Sequence, residues 1–251
     1  MSYNFLSSKG VLRLSLIFKQ LFERESCTYT YLIADNESKE AAIVDAVDIM
    51  IERDTALLKE LDLDLKFIIE THIHADHITS ACPLKKYYPD ARIVIGMENV
   101  DAEACSDIMV SEGHILNIGK YQITTIETPG HTVGCMSYLI ENKLLTGDAL
   151  FIRSTGRCDF QGGSAESLYD SIQKLFKLPD TTEVYPAHDY NGLSVSTIGE
   201  EKKFNSMIKE SFDEKDFINN VNNLDLGLPK KIKVAVPANQ SCGLIPVKAS
   251  V

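Results

Sequence analysis

The segment Thr71–His77, THIHADH, places three histidines and an aspartate within six positions, directly after the apolar run LKFII. In an extended segment, side chains two apart share a face. His72 and His74 therefore project together where that run ends, and Asp76 and His77 follow at the entrance to the next element. Imidazole and carboxylate groups at this density suit zinc, iron or manganese. Without a cation, so many polar groups at a core edge would carry an uncompensated desolvation cost. Three more stretches repeat the arrangement of strand, tight turn and ligand-type residue: TPGHT presents His131, LLTGDA presents Asp148 and VYPAHD presents His188. Gly147 lets the backbone come close beside Asp148. Five of the six histidines fall in these blocks, which makes random scatter a poor account of them. The sixth, His114 in SEGHIL, reads as a surface-turn residue. Seven ligand-type residues, read from spacing alone, point to two metal ions.

The elements that must hold these residues can be read from periodicity. TYTYLIA (28–34), EAAIVDAV (40–47), LKFIIE (65–70), ARIVIG (91–96), YQITTIET (121–128), CMSYLIE (135–141), KLLTGD (143–148) and TEVYPAH (182–188) read as strands. Helical spacing covers 51–61, 78–88, 164–177 with Ser164 as its cap, and 197–212. The remaining C-terminal stretch is rich in Pro, Asn and Lys and closes with VAVPANQSCG. Strands followed by mixed elements and strands again predict two sheets packed together with helices outside, rather than one doubly wound sheet.

With 251 residues, 44% of them hydrophobic, the chain can bury one sizeable core. We expect a single domain over 1–251, with 213–251 a C-terminal extension packed on it. The formal net charge of −11 repels phosphate backbones and argues against nucleic-acid binding. The six cysteines, at 27, 82, 105, 135, 158 and 242, show neither a CxxC pair nor the density of a disulfide scaffold, so they read as reduced thiols. The first residues, MSYNFLSSKG, lack the features of an export signal or transit peptide, and the apolar run 11–18 is broken by Arg13 and Ser15 and is too short to span a bilayer. The expectation is a cytoplasmic protein with no membrane partner.

THxHxDH followed by a later His, Asp and His at strand ends resembles the metallo-β-lactamase superfamily. That resemblance implies an α+β fold, an αββα sandwich of two mixed β-sheets flanked by helices with the metal site at one edge. Within the superfamily, the segments LIFKQLFERESCTYTYLIAD, THIHADHITS, TPGHTVGCMSYLI, TGDALFIRSTGRCDFQGG, LYDSI, YPAHDYNGLSVSTIGEEKKFN and VAVPANQSCG resemble the persulfide dioxygenase, or sulfur dioxygenase, branch. Glyoxalase II, a glutathione thioester hydrolase with a dinuclear site, is the alternative, but it normally has a longer helical C-terminal part.

The dioxygenase resemblance implies one Fe(II) per chain on His72, His131 and Asp148, with zinc as an alternative occupant on isolation. Two histidines and a carboxylate form the facial arrangement that leaves positions open for O2 and substrate. His74, Asp76, His77 and His188 would then orient and tune those ligands, whereas in the hydrolase they would complete a second metal site. The implied reaction oxidises glutathione persulfide with O2 to sulfite and glutathione. Arg157 is expected to pair bidentately with a glutathione carboxylate, its competing role being an ion pair with Asp159. Arg153 has a similar claim, and Tyr190 could donate a hydrogen bond near the substrate sulfur. Lys202 and Asn205 match family positions, while Ser206 stands where relatives often have proline. Cys242 matches a family cysteine and is either redox-sensitive or simply buried. The resemblance also implies a homodimer and, because some relatives carry a fused rhodanese domain, a separate sulfurtransferase partner. A non-enzymatic metal-dependent scaffold or sensor would need the open metal positions blocked.

Overall fold

A computed structural model describes residues 15–245; the reading of the first ten residues and the last six positions of the C-terminal extension lie outside them. Two six-stranded sheets face each other. The first contains β1 (Leu16–Glu23), β2 (Thr28–Asp35), β3 (Glu40–Val44), β4 (Asp64–Ile69), β5 (Arg92–Gly96) and β6 (Ile108–Val110), paired in that order. The second contains β7 (Ile115–Ile118), β8 (Tyr121–Glu127), β9 (Met136–Ile140), β10 (Lys143–Gly147), β11 (Glu183–Pro186) and β12 (Ser196–Thr197), again in sequence order across the sheet. Helices α1 (Ile51–Glu60) and α2 (Ala81–Tyr87) belong to the first half, α3 (Ala165–Leu175), α4 (Ile198–Phe204) and α5 (Glu214–Asn222) to the second, and α6 (Ile232–Asn239) lies near the chain's end. The αββα sandwich expected from the sequence is what forms.

Strand alternation explains the layers. Tyr29, Tyr31 and Ile33 of β2 turn inward with Val44, Phe67, Ile69 and Val94, and meet Leu116, Ile123, Tyr138 and Leu145 of the other sheet. The intervening residues Leu32, Ala34, Ile43 and Ile68 turn outward onto Leu58 of α1 and Leu84 of α2. On the far side Leu144 packs on Leu168 and Ile172 of α3, Ile198 of α4, and Phe217 and Val221 of α5. Strands covered on both faces must be apolar throughout, and all eight residues of β2 are buried.

The parallel pairs β3–β4, β4–β5 and β10–β11 decide where a site can form. Parallel neighbours bring their C-terminal ends to one edge, and ligand sites in such sheets gather outside those ends. The loops after β3, β4, β10 and β11 therefore open on the same side.

Several local expectations change. The helix expected over 78–88 begins only at Ala81, because the Thr79 amide is committed to the Asn239 side-chain oxygen and the Ser80 amide to the Ala46 carbonyl. The helix expected over 197–212 stops at Phe204, where Asn205 takes extended backbone angles. Its side-chain oxygen accepts from the amides of Met207 and Ile208. Strands β1, β6, β7 and β12 and helices α5 and α6 are not among the expected elements. The expectation of six reduced cysteines is also corrected: Cys105 and Cys242 form a disulfide across 137 residues. Cys27, Cys82, Cys135 and Cys158 are free thiols.

Candidate metal centre

Each ligand-type residue stands where a strand runs out. His72, His74, Asp76 and His77 occupy the loop after β4, His131 follows β8, Asp148 follows β10 and His188 follows β11. Gly147 ends β10 with φ +52°, and a Cβ there would lie 2.8 Å from Cβ of Thr71. The absent side chain is what lets the Asp148 turn press against the histidine loop. Gly130, at φ +138°, similarly sits on the backbone of Leu168 and sets the approach of His131.

Donor atoms of His72, His131 and Asp148 lie within 4.8 Å of one another, and all three residues are buried. The hydrogen-bond network assigns which nitrogens face the centre. His72 Nδ1 lies 2.9 Å from Thr71 Oγ1, and that hydroxyl donates to Asp45 at 2.9 Å. His131 Nδ1 donates to the carbonyl of Arg157 at 2.6 Å. Both Nε2 atoms are thereby left as acceptors, which is the form a metal needs. His131 Nε2 is 3.5 Å from Asp148 Oδ2, and the other carboxylate oxygen of Asp148 is buried without a hydrogen-bond partner. A buried carboxylate oxygen left unpartnered beside two imidazole acceptors fits a cation and is costly without one.

A second group, His74, Asp76 and His77, also gathers donor atoms within 4.8 Å. His74 Nδ1 and His77 Nε2 are buried and unpartnered there. His188 bridges the two groups, its Nε2 3.5 Å from Asp148 Oδ1 and 3.6 Å from Asp76 Oδ2. The expected seven residues are thus brought together.

Burial, with His74 and His131 close by, pushes His72 well below the usual imidazole value and keeps it neutral. Burial works the same way on His74, but Asp45 and Glu70 outweigh it and hold His74 well above the ordinary value. Burial would raise Asp76, yet His77 and His188 keep it well below the carboxylate range.

Three supporting residues escaped the sequence reading. Asp45, 1% exposed, accepts from the Thr71 amide, the Thr71 hydroxyl and His74 Nε2. Glu70 flanks His74 on the same side. The Thr28 hydroxyl sits 3.3 Å from Asp76 Oδ2, 3.3 Å from His77 Nδ1 and 3.4 Å from His188 Nδ1. An acid closing the strand IVD was the available signal for Asp45; Thr28 gave none. His114 is an exposed turn residue, as expected.

A cavity of about 530 Å³ opens over the site, with Asp76, His131, Asp148 and His188 at its base and Phe151, Phe160, Arg157 and Tyr190 around it. Leu226, Gly227 and Pro229 of the C-terminal extension complete one wall. Tyr190 stacks on the His188 ring at 6.1 Å and is otherwise exposed. Arg157 makes the expected alternative ion pair, donating Nε and Nη2 to Asp159 at 2.6 Å each. It also donates to the carbonyls of Gly227 and Leu226. Of its five donors, one Nη1 hydrogen remains, so a bidentate grip on a carboxylate is not available in this arrangement.

The other three residues expected to touch substrate lie elsewhere. Arg153 pairs with Glu200 and Glu201 of α4, Lys202 pairs with Asp180, and Asn205 is buried, donating to Glu201 and the Ser154 carbonyl. They fasten α4 and do not line the cavity.

The family model described as the metallo-beta-lactamase superfamily matches residues 28–108 and 110–188. The mitochondrial persulfide dioxygenase ETHE1 of Mus musculus is 42% identical over 242 residues, 95% of this chain and 93% of its own. Glyoxylase B2 of Dictyostelium discoideum is 34% identical over 90% of each chain. The crystal structure of ETHE1 from Myxococcus xanthus superposes with a TM-score of 0.86 at 43% identity, covering 90% of this chain and 99% of that one. With the ligand residues gathered at the open edge of an αββα sandwich, the chain belongs to the metallo-beta-lactamase superfamily and, within it, to the persulfide dioxygenase family.

Proposed function

We propose that the protein is a persulfide dioxygenase that oxidises glutathione persulfide at a ferrous iron held by His72, His131 and Asp148. The carrying observation is this triad of two imidazole nitrogens and a buried, unpartnered carboxylate oxygen, with His131 and Asp148 at the base of the cavity, in a chain similar to named persulfide dioxygenases along 95% of its length. One glutathione persulfide, one O2 and one water give glutathione and sulfurous acid, four electrons passing from the outer sulfur to O2. Bound iron would supply the dioxygen chemistry; the protein supplies position and environment.

The chain's own groups have definable parts. Asp45 through Thr71, and the Arg157 carbonyl, fix the two imidazoles. Phe151 and Phe160 exclude water from the mouth, and Tyr190 presents its hydroxyl to the incoming persulfide. Arg157 holds the wall at 226–227 and offers its remaining Nη1 hydrogen to glutathione. A homodimer in the cytoplasm, supplied with persulfide by a separate sulfurtransferase, completes the proposal. No helix among the described residues is long and apolar enough to cross a membrane.

The unpartnered nitrogens of His74 and His77 beside Asp76 favour a second reading, a two-metal thioester hydrolase. Metal analysis of anaerobically purified protein, with O2 uptake on adding glutathione persulfide, separates the two. About one iron per chain with O2 uptake is expected. Two metals per chain, with S-lactoylglutathione cleaved and no O2 consumed, would overturn it.

A further inference from the structure

The loop that carries four of the seven ligand-type residues is held from behind by the C-terminal helix. Asn239, buried at the end of α6, donates from Nδ2 to the carbonyls of His74 and His77 at 2.8 Å each, and its Oδ1 accepts from the Thr79 amide at 2.9 Å. One side chain from 160 positions away thus satisfies three backbone groups of the loop. The Cys82 amide donates to the Cys242 carbonyl at 2.9 Å. Gly243 passes so close that a Cβ would lie 2.0 Å from the Thr79 carbonyl oxygen. Val236 and Cys105 pack beside Ile73, the residue between His72 and His74.

Helix α6 has little means of holding itself in that position. It is eight residues long, has Pro237 inside it and no side-chain cap, and short isolated helices are marginal. What fastens it covalently is the Cys105–Cys242 disulfide, which anchors the turn after α6 to the segment following β5. Disulfides are rare in reducing compartments except where they act in redox sensing or catalysis.

We propose that α6 is a redox-fastened brace: Asn239 is a positioning residue for the metal-ligand loop, and the Cys105–Cys242 disulfide is the fastener that low-molecular-weight thiols release. A thiolate attacks Sγ of Cys105, the more exposed of the pair; the S–S bond breaks and Cys242 leaves as a thiolate that takes up a proton. A second thiolate then attacks the mixed disulfide, forming the small-molecule disulfide and freeing Cys105. Two thiols lose two electrons and the protein disulfide gains them. The inference rests on the dioxygenase reading only in taking glutathione, a product of that reaction, as the natural reductant.

The test compares the metal-loaded protein after oxidation and after incubation with excess glutathione. Differential alkylation should find Cys105 and Cys242 blocked in the first state and labelled in the second. Hydrogen exchange of the amides over 71–82 should quicken by about tenfold on reduction, the loss of roughly one supported hydrogen bond, and metal transfer to a chelator should accelerate in parallel. Cys105→Ser should behave as the reduced protein under both conditions. Asn239→Ala should show the faster exchange and metal transfer in both states while its cysteines still respond to reduction, and if that variant fails to fold, Cys105→Ser carries the test alone. Both thiols open to alkylation after oxidation, or exchange over 71–82 indifferent to reduction, would overturn the proposal. These readouts need no turnover, so an absence of O2 uptake in both states would count against the dioxygenase and leave the brace standing.

Discussion

Asp45 makes a prediction that separates folding from metal binding. Its carboxylate accepts from the Thr71 amide at 2.8 Å, the Thr71 hydroxyl at 2.9 Å and His74 Nε2 at 3.1 Å. In Asp45→Asn one oxygen can still accept, while the amide nitrogen must face groups that donate. With the oxygen in the Oδ1 place it keeps the Thr71 amide and His74 Nε2, so the one hydrogen bond from the Thr71 hydroxyl to a charged acceptor is lost, worth about 1.5–3 kcal/mol, a substantial part of the ~5–15 kcal/mol that holds a domain together. Urea unfolding measures it. Thr71→Val removes only the link between Asp45 and His72, leaving Asp45 its other two donors, and should cost about 1–3 kcal/mol. Both changes free His72 to rotate, and losing such a support typically lowers metal affinity by about 10–100-fold, read by competition with a chromogenic chelator. If Thr71→Val is destabilised as expected but binds metal as tightly as the wild type, the Asp45–Thr71–His72 relay does not orient the ligand, and the reasoning fails.

Four further outcomes are expected. Gly147→Ala combines a left-handed backbone angle with a Cβ 2.8 Å from Thr71 and should cost about 2–4 kcal/mol, seen as a lowered thermal midpoint together with weaker metal retention. Arg157→Lys loses the paired bonds to Asp159 and the ties to Leu226 and Gly227; KM for glutathione persulfide should rise by about tenfold with a smaller change in kcat, since what goes is binding rather than transition-state stabilisation. Lys143 holds Glu183 below the ordinary carboxylate range, so that pair's contribution is present above about pH 4, the unfolded value, and is lost as pH falls through the lowered folded value. Glu183→Gln should therefore flatten that part of the acid limb in unfolding measured between about pH 2 and pH 6. Stripping the metal should lower stability by about 4 kcal/mol at a free metal concentration a thousand times Kd, and a thermal midpoint indifferent to chelator would contradict a cation at His72, His131 and Asp148.

The ligand set was legible because its residue types are distinctive and each follows an apolar strand. The layers were legible because short runs of β-branched, aromatic and aliphatic residues mark strands buried on both faces. What escaped had no local signature. Asp45 and Thr28 act through contacts set by tertiary structure, and a buried Asp reads like any acid at a strand end until its three donors are seen. The sequence expects substrate contacts from Arg153 and Asn205, but both turn to Glu201. A guanidinium or amide near a motif carries no direction. The disulfide joins residues 137 apart, a separation at which spacing says nothing. Helices α5 and α6 were lost in a polar, Asn- and Pro-bearing stretch. The first owes its start to a capping box of Asp213 and Asp216, and the second owes its place to the loop it braces.

The same contacts explain why ligands from separate halves of the chain can form one centre. His72 comes from the first sheet and Asp148 from the second, so their spacing depends on how the sheets are joined at that edge. Three backbone bonds make the join: the Met136 amide to the Thr71 carbonyl at 2.8 Å, the Tyr29 amide to the Ala187 carbonyl at 2.7 Å and the Asp189 amide to the Cys27 carbonyl at 3.4 Å. Each lies one residue or less from a ligand-type position or its support, Thr71 beside His72, Ala187 beside His188 and Tyr29 beside Thr28. A metal site needs its donors held to about half an ångström, and loops alone do not give that. Here the sheets are tied at the loops themselves, so the order of the two cores is passed directly to the imidazoles. Asn239 extends the same principle to the outer side of the loop, where no sheet reaches.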